Sequence, residues 1–188
     1  MFGFGKKKDE KKTFEPITVE NELGMFTLER FKRYDGKIFF YYSGDTNIRQ
    51  GTKSICVSAD VFCDGGADCV DESYCADKGF ARLKDIVENF ADWDERLKKC
   101  VLDEVMEPDE LESGMIAIWG SSDDCRNDVE AEPVSKEEFL RRIYIRHIDV
   151  FDDGSLQFMF CLDDMYTDHQ MDVIVDKDGN ITECKLEG

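Results

Sequence analysis

The sequence predicts an α+β fold in which antiparallel β-sheet units, N-terminal strands and a C-terminal four-stranded meander, are covered by one or two amphipathic helices. Two observations carry that expectation. A strand-turn-strand pattern is written twice, 118 residues apart, as Asp35-Gly36-Lys37-Ile38-Phe39-Phe40 through Asp45 and as Asp153-Gly154-Ser155-Leu156-Gln157-Phe158 through Asp163. Between the copies, Phe80, Leu83, Val87, Phe90, Trp93, Leu97, Val101 and Val105 recur at helical spacing, an apolar stripe that needs a sheet face to bury it. In both copies an aliphatic residue stands two places after the Gly, a Phe four places after it, and an Asp closes the run. That agreement suggests an internal duplication.

Taken in order, residues 1–15, with five lysines between Lys6 and Lys12, read as a flexible basic tail. Residues 16–188 read as a single α+β domain with two pseudo-repeats, 16–106 and 134–188, joined by an acidic loop, 107–133. Ile17-Thr18-Val19 and Gly24-Met25-Phe26-Thr27-Leu28 are short strands about a turn. Phe39 to Tyr42 are aromatic at every position, which predicts a strand covered on both faces. Gly44 to Thr52 reads as a connection to the next strand, Ser54 to Ala59, and the Cys-, Asp- and Gly-rich segment 60–78 as a loop. The helical stripe is one long helix or two meeting near Asp92, and Pro108 closes it. Residues 108–134 are irregular apart from Met115-Ile116-Ala117-Ile118-Trp119. Ser135 with Glu138 has capping-box spacing before Phe139, marking a helix start. The meander then follows over 143–150, 155–161, 170–175 and 180–186, with Asp-Gly turns at 152–154 and 176–180.

With those residues in place, the chain resembles the bacterial family DUF2262. The resemblance rests on Glu137-Glu138-Phe139, the strand Phe158-Met159-Phe160, the segment Asp164-Met165-Tyr166 with His169, then Met171-Asp172-Val173 and Gly179. Leu23 to Leu28, leading to the first Asp-Gly turn, also resembles the family's opening strands. It implies a shared fold over roughly residues 19–188 and a bacterial origin, and it implies no activity.

Composition narrows the function classes. A hydrophobic fraction of 41% with 14 Phe in 188 residues predicts a folded globule that needs no disulfide or metal staple. Against 24 Lys and Arg stand 43 Asp and Glu, a net charge of −19, which repels phosphate backbones and anionic membranes. Nucleic acid is therefore excluded as an expected ligand, and a protein with a basic surface is the expected partner. No stretch approaches the ~18 apolar residues of a membrane span, and the start Met1-Phe2-Gly3-Phe4-Gly5 lacks a signal-peptide core. The protein is expected to be cytoplasmic, with its eight cysteines reduced.

Motifs carry little chemistry. The spacing C-x6-C-x5-C-x5-C over Cys56, Cys63, Cys69 and Cys75 lacks the close pairs of zinc sites. Registering Gly179 as the sixth residue of a calcium loop puts Ile174 first and Lys185 twelfth, where carboxylates are required. There is neither a phosphate-binding loop motif nor a G-x-S-x-G elbow. The candidate binding residues are Asp163, Asp164, Tyr166, Asp168 and His169, which gather acid, phenol and imidazole between two strands, together with Trp119, a core or loop anchor that in a long acidic loop can also be a protein-binding hot spot. The leading expectation is a non-enzymatic, acidic protein-binding module, of which an immunity-like neutraliser of a toxin is one version, with no cofactor. The alternative is a metal-dependent enzyme or small-ligand binder using Asp164 to His169.

Overall fold

The computed structural model describes residues 16–50, 53–65, 74–106, 113–118, 132–163, 165–166 and 169–187. The basic tail, Cys69, Trp119, Asp164, Asp168 and most of the acidic loop lie outside them. The fold is α+β, built on a large, mostly antiparallel sheet.

Eight strands form that sheet in the order β1-β2-β3-β4-β7-β8-β9-β10. The first four, β1 (Thr18–Asn21), β2 (Gly24–Lys32), β3 (Ile38–Gln50) and β4 (Lys53–Phe62), make one antiparallel meander. The last four, β7 (Tyr144–Val150), β8 (Leu156–Cys161), β9 (Gln170–Val175) and β10 (Ile181–Glu187), make the second. Strands β5 (Met115–Ile116) and β6 (Val134–Ser135) pair apart from the main sheet. The two meanders meet where β4 and β7 run parallel, Ser58 opposite His147 and Asp60 opposite Asp149. Parallel neighbours cannot be joined by a hairpin. The connection between them carries α1 (Asp77–Glu88), α2 (Phe90–Val105) and α3 (Lys136–Arg142). No helix among the described residues is long and apolar enough to cross a membrane.

Local chemistry sets the element boundaries. The two Asp-Gly turns place Gly36 and Gly154 at φ of 86° and 88°, the left-handed region that glycine enters without strain. At the second of them, Asp153 Oδ1 accepts from Ser155 N at 2.9 Å. The helical stripe divides at Asn89, whose side chain donates back to Asp85 O at 3.1 Å, so the two helices meet three residues before the expected Asp92. Ser135 Oγ accepts from Glu138 N at 3.2 Å, capping α3 as its spacing predicts.

One sheet face, here the inner face, is apolar. Val57, Ala59 and Val61 of β4, Ile148 and Val150 of β7, Phe158 and Phe160 of β8, and Val173 and Val175 of β9 are all buried. They share one cluster with Leu83 and Ile86 of α1 and with Trp93, Leu97 and Val101 of α2. Trp93 meets Phe158 at 5.8 Å between ring centroids, and Phe80 meets Phe26 edge-on at 5.1 Å.

Three expectations change. Strand β3 does not end near Gly44 but continues to Gln50, 13 residues in all. Thr46 and Ile48, each 1% exposed, continue its inward row, and Gly44 stays in the strand for close packing: a Cβ there would lie 2.5 Å from Met25 O. A glycine read as a turn signal is a close-approach site instead. Strand β4 likewise runs on to Phe62, into the segment expected to be a loop. The aromatic run is covered on one face only, since Tyr42 is buried while Tyr41 points to the opposite side and lines a cleft there.

Helix α1 packs tightly on the sheet at Gly79, where a Cβ would come 2.5 Å from Val61 Cγ1. Gly79→Val is therefore expected to destabilise the protein by about 1–3 kcal/mol through overpacking. Urea unfolding measures this, and an unchanged midpoint would contradict the close contact of α1 with β4.

Candidate functional site

In β4 the two-residue period sends Val57, Ala59 and Val61 inward and leaves Ser58, Asp60 and Phe62 on the opposite, open face. In β7 the register shifts between Ile145 and His147, so Arg146 is the extra residue of a bulge. Beyond the bulge His147 and Asp149 share the open face while Ile148 and Val150 point inward. Bulges commonly re-aim side chains beside functional sites. Here the bulge puts Arg146 and His147 together in an open cleft of about 370 Å³, whose walls are Phe31, Tyr41, Phe62 and Met159. The stacked rings of Tyr41 and Phe62, 5.4 Å apart, form one side.

The polar groups of the cleft form one connected set. Ser58 Oγ lies 2.6 Å from His147 Nδ1 and donates to Arg146 O at 3.2 Å. On the other side of the ring, His147 Nε2 is 3.0 Å from Asp149 Oδ1 and 3.7 Å from Asp60 Oδ2. Asp149 is nearly buried, and Asp60 Oδ1 is buried with no hydrogen-bond partner. The potential ligand atoms of Asp60, His147 and Asp149 all lie within 4.8 Å of one another, a spacing at which they can hold a metal ion. Beside the cleft, buried Asp172 is satisfied by Gln157 Nε2 at 2.7 Å and Gln170 Nε2 at 3.1 Å.

Burial and charge act against each other in this cluster. For His147 burial is the largest influence and lowers the pKa, but the hydrogen bond and charge of Asp149, joined by Asp60, outweigh it and hold the imidazole above its ordinary 6.5. Burial raises Asp60 above the usual carboxylate value, with Asp149 and Glu29 adding to it, while the nearby Ser43 hydroxyl and the charge of His147 pull the other way. Burial followed by the charges of Asp60, Glu29 and Asp149 raises the Tyr41 phenol.

The residues singled out from the sequence lie elsewhere. Asp163 accepts from Arg142 Nε at 2.7 Å, tying β8 to α3. Tyr166 is buried, donates to Ala117 O at 2.9 Å and meets Phe139 edge-on. His169 donates its backbone N–H to Tyr166 O at 3.1 Å. None of these three lines the cleft, and Asp164, Asp168 and Trp119 fall outside the described residues. The six described cysteines are free thiols, and Cys63 is buried with its Sγ 3.6 Å from Tyr74 O.

Sequence reasoning passed over Ser58, Asp60, His147 and Asp149 because it searched for neighbours along the chain. A signal was present all the same. Ser58-x-Asp60 and His147-x-Asp149 each alternate with apolar residues, so each pair belongs to one face of its strand. Only the parallel pairing, across 89 residues, brings the two pairs together.

Because the native pKa of His147 is raised, its contribution to stability is full below 6.5 and is lost as the pH climbs through the raised native value. Asp60 acts with the same sign from 3.8 upward, since the native state favours its neutral form. The chain has two histidines, so imidazole NMR signals resolve the titration. His147 is expected to titrate above 6.5, and Asp149→Asn to lower its midpoint; a native midpoint below 6.5 would mean that burial prevails over the carboxylates.

No curated protein and no solved structure matches this chain. A family model does match, over residues 20–186, with the description "Uncharacterized protein conserved in bacteria". With nearly its whole length covered, from β1 through β10, the chain belongs to the DUF2262 family.

Proposed function

We propose that this chain is a small-ligand-binding protein with an enzyme-like site, and that its working surface is the cleft across the β4–β7 seam. The observation that supports this reading is the convergence of His147, Asp149, Asp60 and Arg146 at the bottom of an open, aromatic-walled cleft of about 370 Å³. That size falls in the ordinary range for small ligands, roughly 300–1,000 Å³. Ionisable groups that burial and neighbouring charges hold away from their usual pKa values are a further mark of functional sites.

The chemistry on offer is hydrogen bonding and proton movement. An imidazole against a carboxylate can take or give a proton near neutral pH, and Arg146 brings a positive group to the same cleft. The matching ligand is a small molecule with an apolar or aromatic part for Tyr41, Phe62 and Met159 and a polar part for the cluster. The architecture fits this reading: helices α1 and α2 serve as the cover of the inner face, which leaves the opposite face for ligand. We also read the two three-stranded units β2–β4 and β7–β9 as copies of one ancestor. Each opens with an Asp-Gly hairpin, and Phe40 and Phe158 take the same place in β3 and β8.

Thermal-shift screening of a fragment library against wild type and Met159→Trp tests the cleft. The indole fills the cleft without removing a polar group, so hits are expected to lose their stabilising shift in the variant. Hits that stabilise both proteins equally would place ligand binding elsewhere.

A second reading, a protein-binding module, draws support from the β2–β3 hairpin. Its tip exposes Phe31, Ile38 and Tyr34, the last 96% exposed, beside Lys32, Arg33 and Lys37. Exposed aromatics of this kind anchor protein interfaces. A partner captured from native lysate is expected to be lost on Phe31→Ser/Tyr34→Ser, and retention of the partner by that variant would remove the hairpin from the interface.

A further inference from the structure

We propose that Asp60, His147 and Asp149 bind one divalent transition-metal ion, held by His147 Nε2 and by one carboxylate oxygen from each aspartate. This rests on the reading of the seam cleft as the working site and adds to it a cation of the class that takes mixed nitrogen and oxygen ligands, such as Mn2+ or Zn2+.

The spacing of the donor atoms is the first argument. Nε2 stands 3.0 Å from Asp149 Oδ1 and 3.7 Å from Asp60 Oδ2. Around an ion with bonds of about 2.0–2.2 Å, adjacent ligands are separated by roughly 3.0–3.6 Å. The set therefore closes on an ion with small side-chain adjustments. A proton on Nε2 explains the arrangement less well, because it has one direction. It serves Asp149 at 3.0 Å and leaves Asp60 at 3.7 Å, beyond hydrogen-bond length. A metal ion serves both carboxylates.

The second argument is the orientation of the ring. The Ser58 hydroxyl has a single proton, and Arg146 O, 3.2 Å away, is an acceptor for it. With Nε2 as the ligand atom, Nδ1 carries the ring hydrogen and donates it to Ser58 Oγ, 2.6 Å away. In the neutral imidazole this leaves the lone pair on Nε2, facing the two carboxylates. Metal-binding histidines are commonly held in this way, with the remote ring nitrogen donating to a fixed acceptor.

The third argument is an orphaned atom. Asp60 Oδ1 is buried and has no hydrogen-bond partner, and a buried carboxylate oxygen in that condition is costly. An ion at the cluster compensates the carboxylate as a whole. Two carboxylates also balance a divalent charge, and no thiol lines the cleft to favour a softer ion. The open side of the cleft leaves further coordination positions for water or ligand.

The test uses the full chain, dialysed against chelator and titrated with MnCl2, followed by calorimetry and by the NMR signals of the two imidazoles. The expected result is one equivalent of Mn2+ that broadens the His147 signals at lower Mn2+ concentration and more strongly than those of the more distant His169. Asp60→Asn/Asp149→Asn is expected to abolish this binding. Ser58→Ala, which removes no ligand, is expected to weaken it about tenfold by freeing the ring, and it decides the matter if the double variant fails to fold. Broadening of His169 instead of His147, equal broadening of both, or Mn2+ affinity unchanged in the variants would overturn the proposal. Met159→Trp separates the two readings, because it blocks fragments and leaves the ligands in place. Fragment binding that depends on Met159 without Mn2+ binding at His147 defeats the metal site alone. Mn2+ binding at His147 with fragments indifferent to Met159 defeats only the cleft as a small-molecule site.

Discussion

From Ser58 to Val61 the chain runs beside His147 to Val150 in the same direction, the single parallel pairing in the eight-stranded sheet. Everything else in the molecule is arranged around that contact. It joins two meanders that otherwise close on themselves, and it obliges the intervening chain to cross from one end of the sheet to the other. Helices α1 and α2 lie in that crossing, with Gly79 against Val61 of β4 and Trp93 against Phe158 of β8. The register of the pair also decides what each face contains. A slip of one residue in β7 would turn His147 and Asp149 toward the apolar core and Ile148 and Val150 toward solvent. Burying an unpaired carboxylate is far more costly than any gain from an alternative pairing, so the charges themselves act against wrong registers.

What could be read from the sequence follows from the range of the interactions involved. The Ser135 cap, the Asp-Gly turns, the division of the helical stripe and the four-stranded meander depend on residues within a few positions of one another, and all have local signatures. Strand β3 was misjudged where a local signature had another cause: Gly44 is needed because Phe26 and Met25 O press against it, a contact between strands. The cluster at the seam has no local signature for the same reason on a larger scale. Asp163 to His169 drew notice as a dense local cluster, but Asp163 is engaged by Arg142 and Tyr166 reaches Ala117 O from within the core. Those two described side chains of the segment serve contacts that hold the fold. The converging set at the seam is sparse along the chain, two residues on each strand, and becomes dense only once β4 and β7 pair.

The open face also shows how an acidic protein handles buried acid. With a net charge of −19, most carboxylates can face water at little cost. Asp149 and Asp172 do not, and each is nearly buried. Asp172 is held by two glutamine amides, neutral donors that satisfy both of its oxygens. Asp149 is held by a histidine that Asp60 also approaches. The first arrangement is complete in itself. The second concentrates two negative groups about one ring and leaves Asp60 Oδ1 without a partner. Incomplete satisfaction of this kind lowers stability, and its location in an open cleft, beside a bulge that also presents Arg146, sets it apart from the structural polar contacts.

Neither meander holds the site alone. Ser58 and Asp60 come from the first, His147, Asp149 and Arg146 from the second, and the aromatic wall from β2, β3 and β4 of the first. If the two units arose from one ancestor, the copies contribute different chemistry to the seam, since β4 supplies hydroxyl and acid where β7 supplies imidazole and acid. A ligand that touches both strands binds only the state in which they are paired, so its binding energy adds to the stability of the seam; at one hundred times the dissociation constant this amounts to about 2.7 kcal/mol. The parallel pair is the contact with the longest chain to close, and only four residues on each side are in register. It is therefore the part of the sheet that gains most from being bridged, and the cleft lies directly across it.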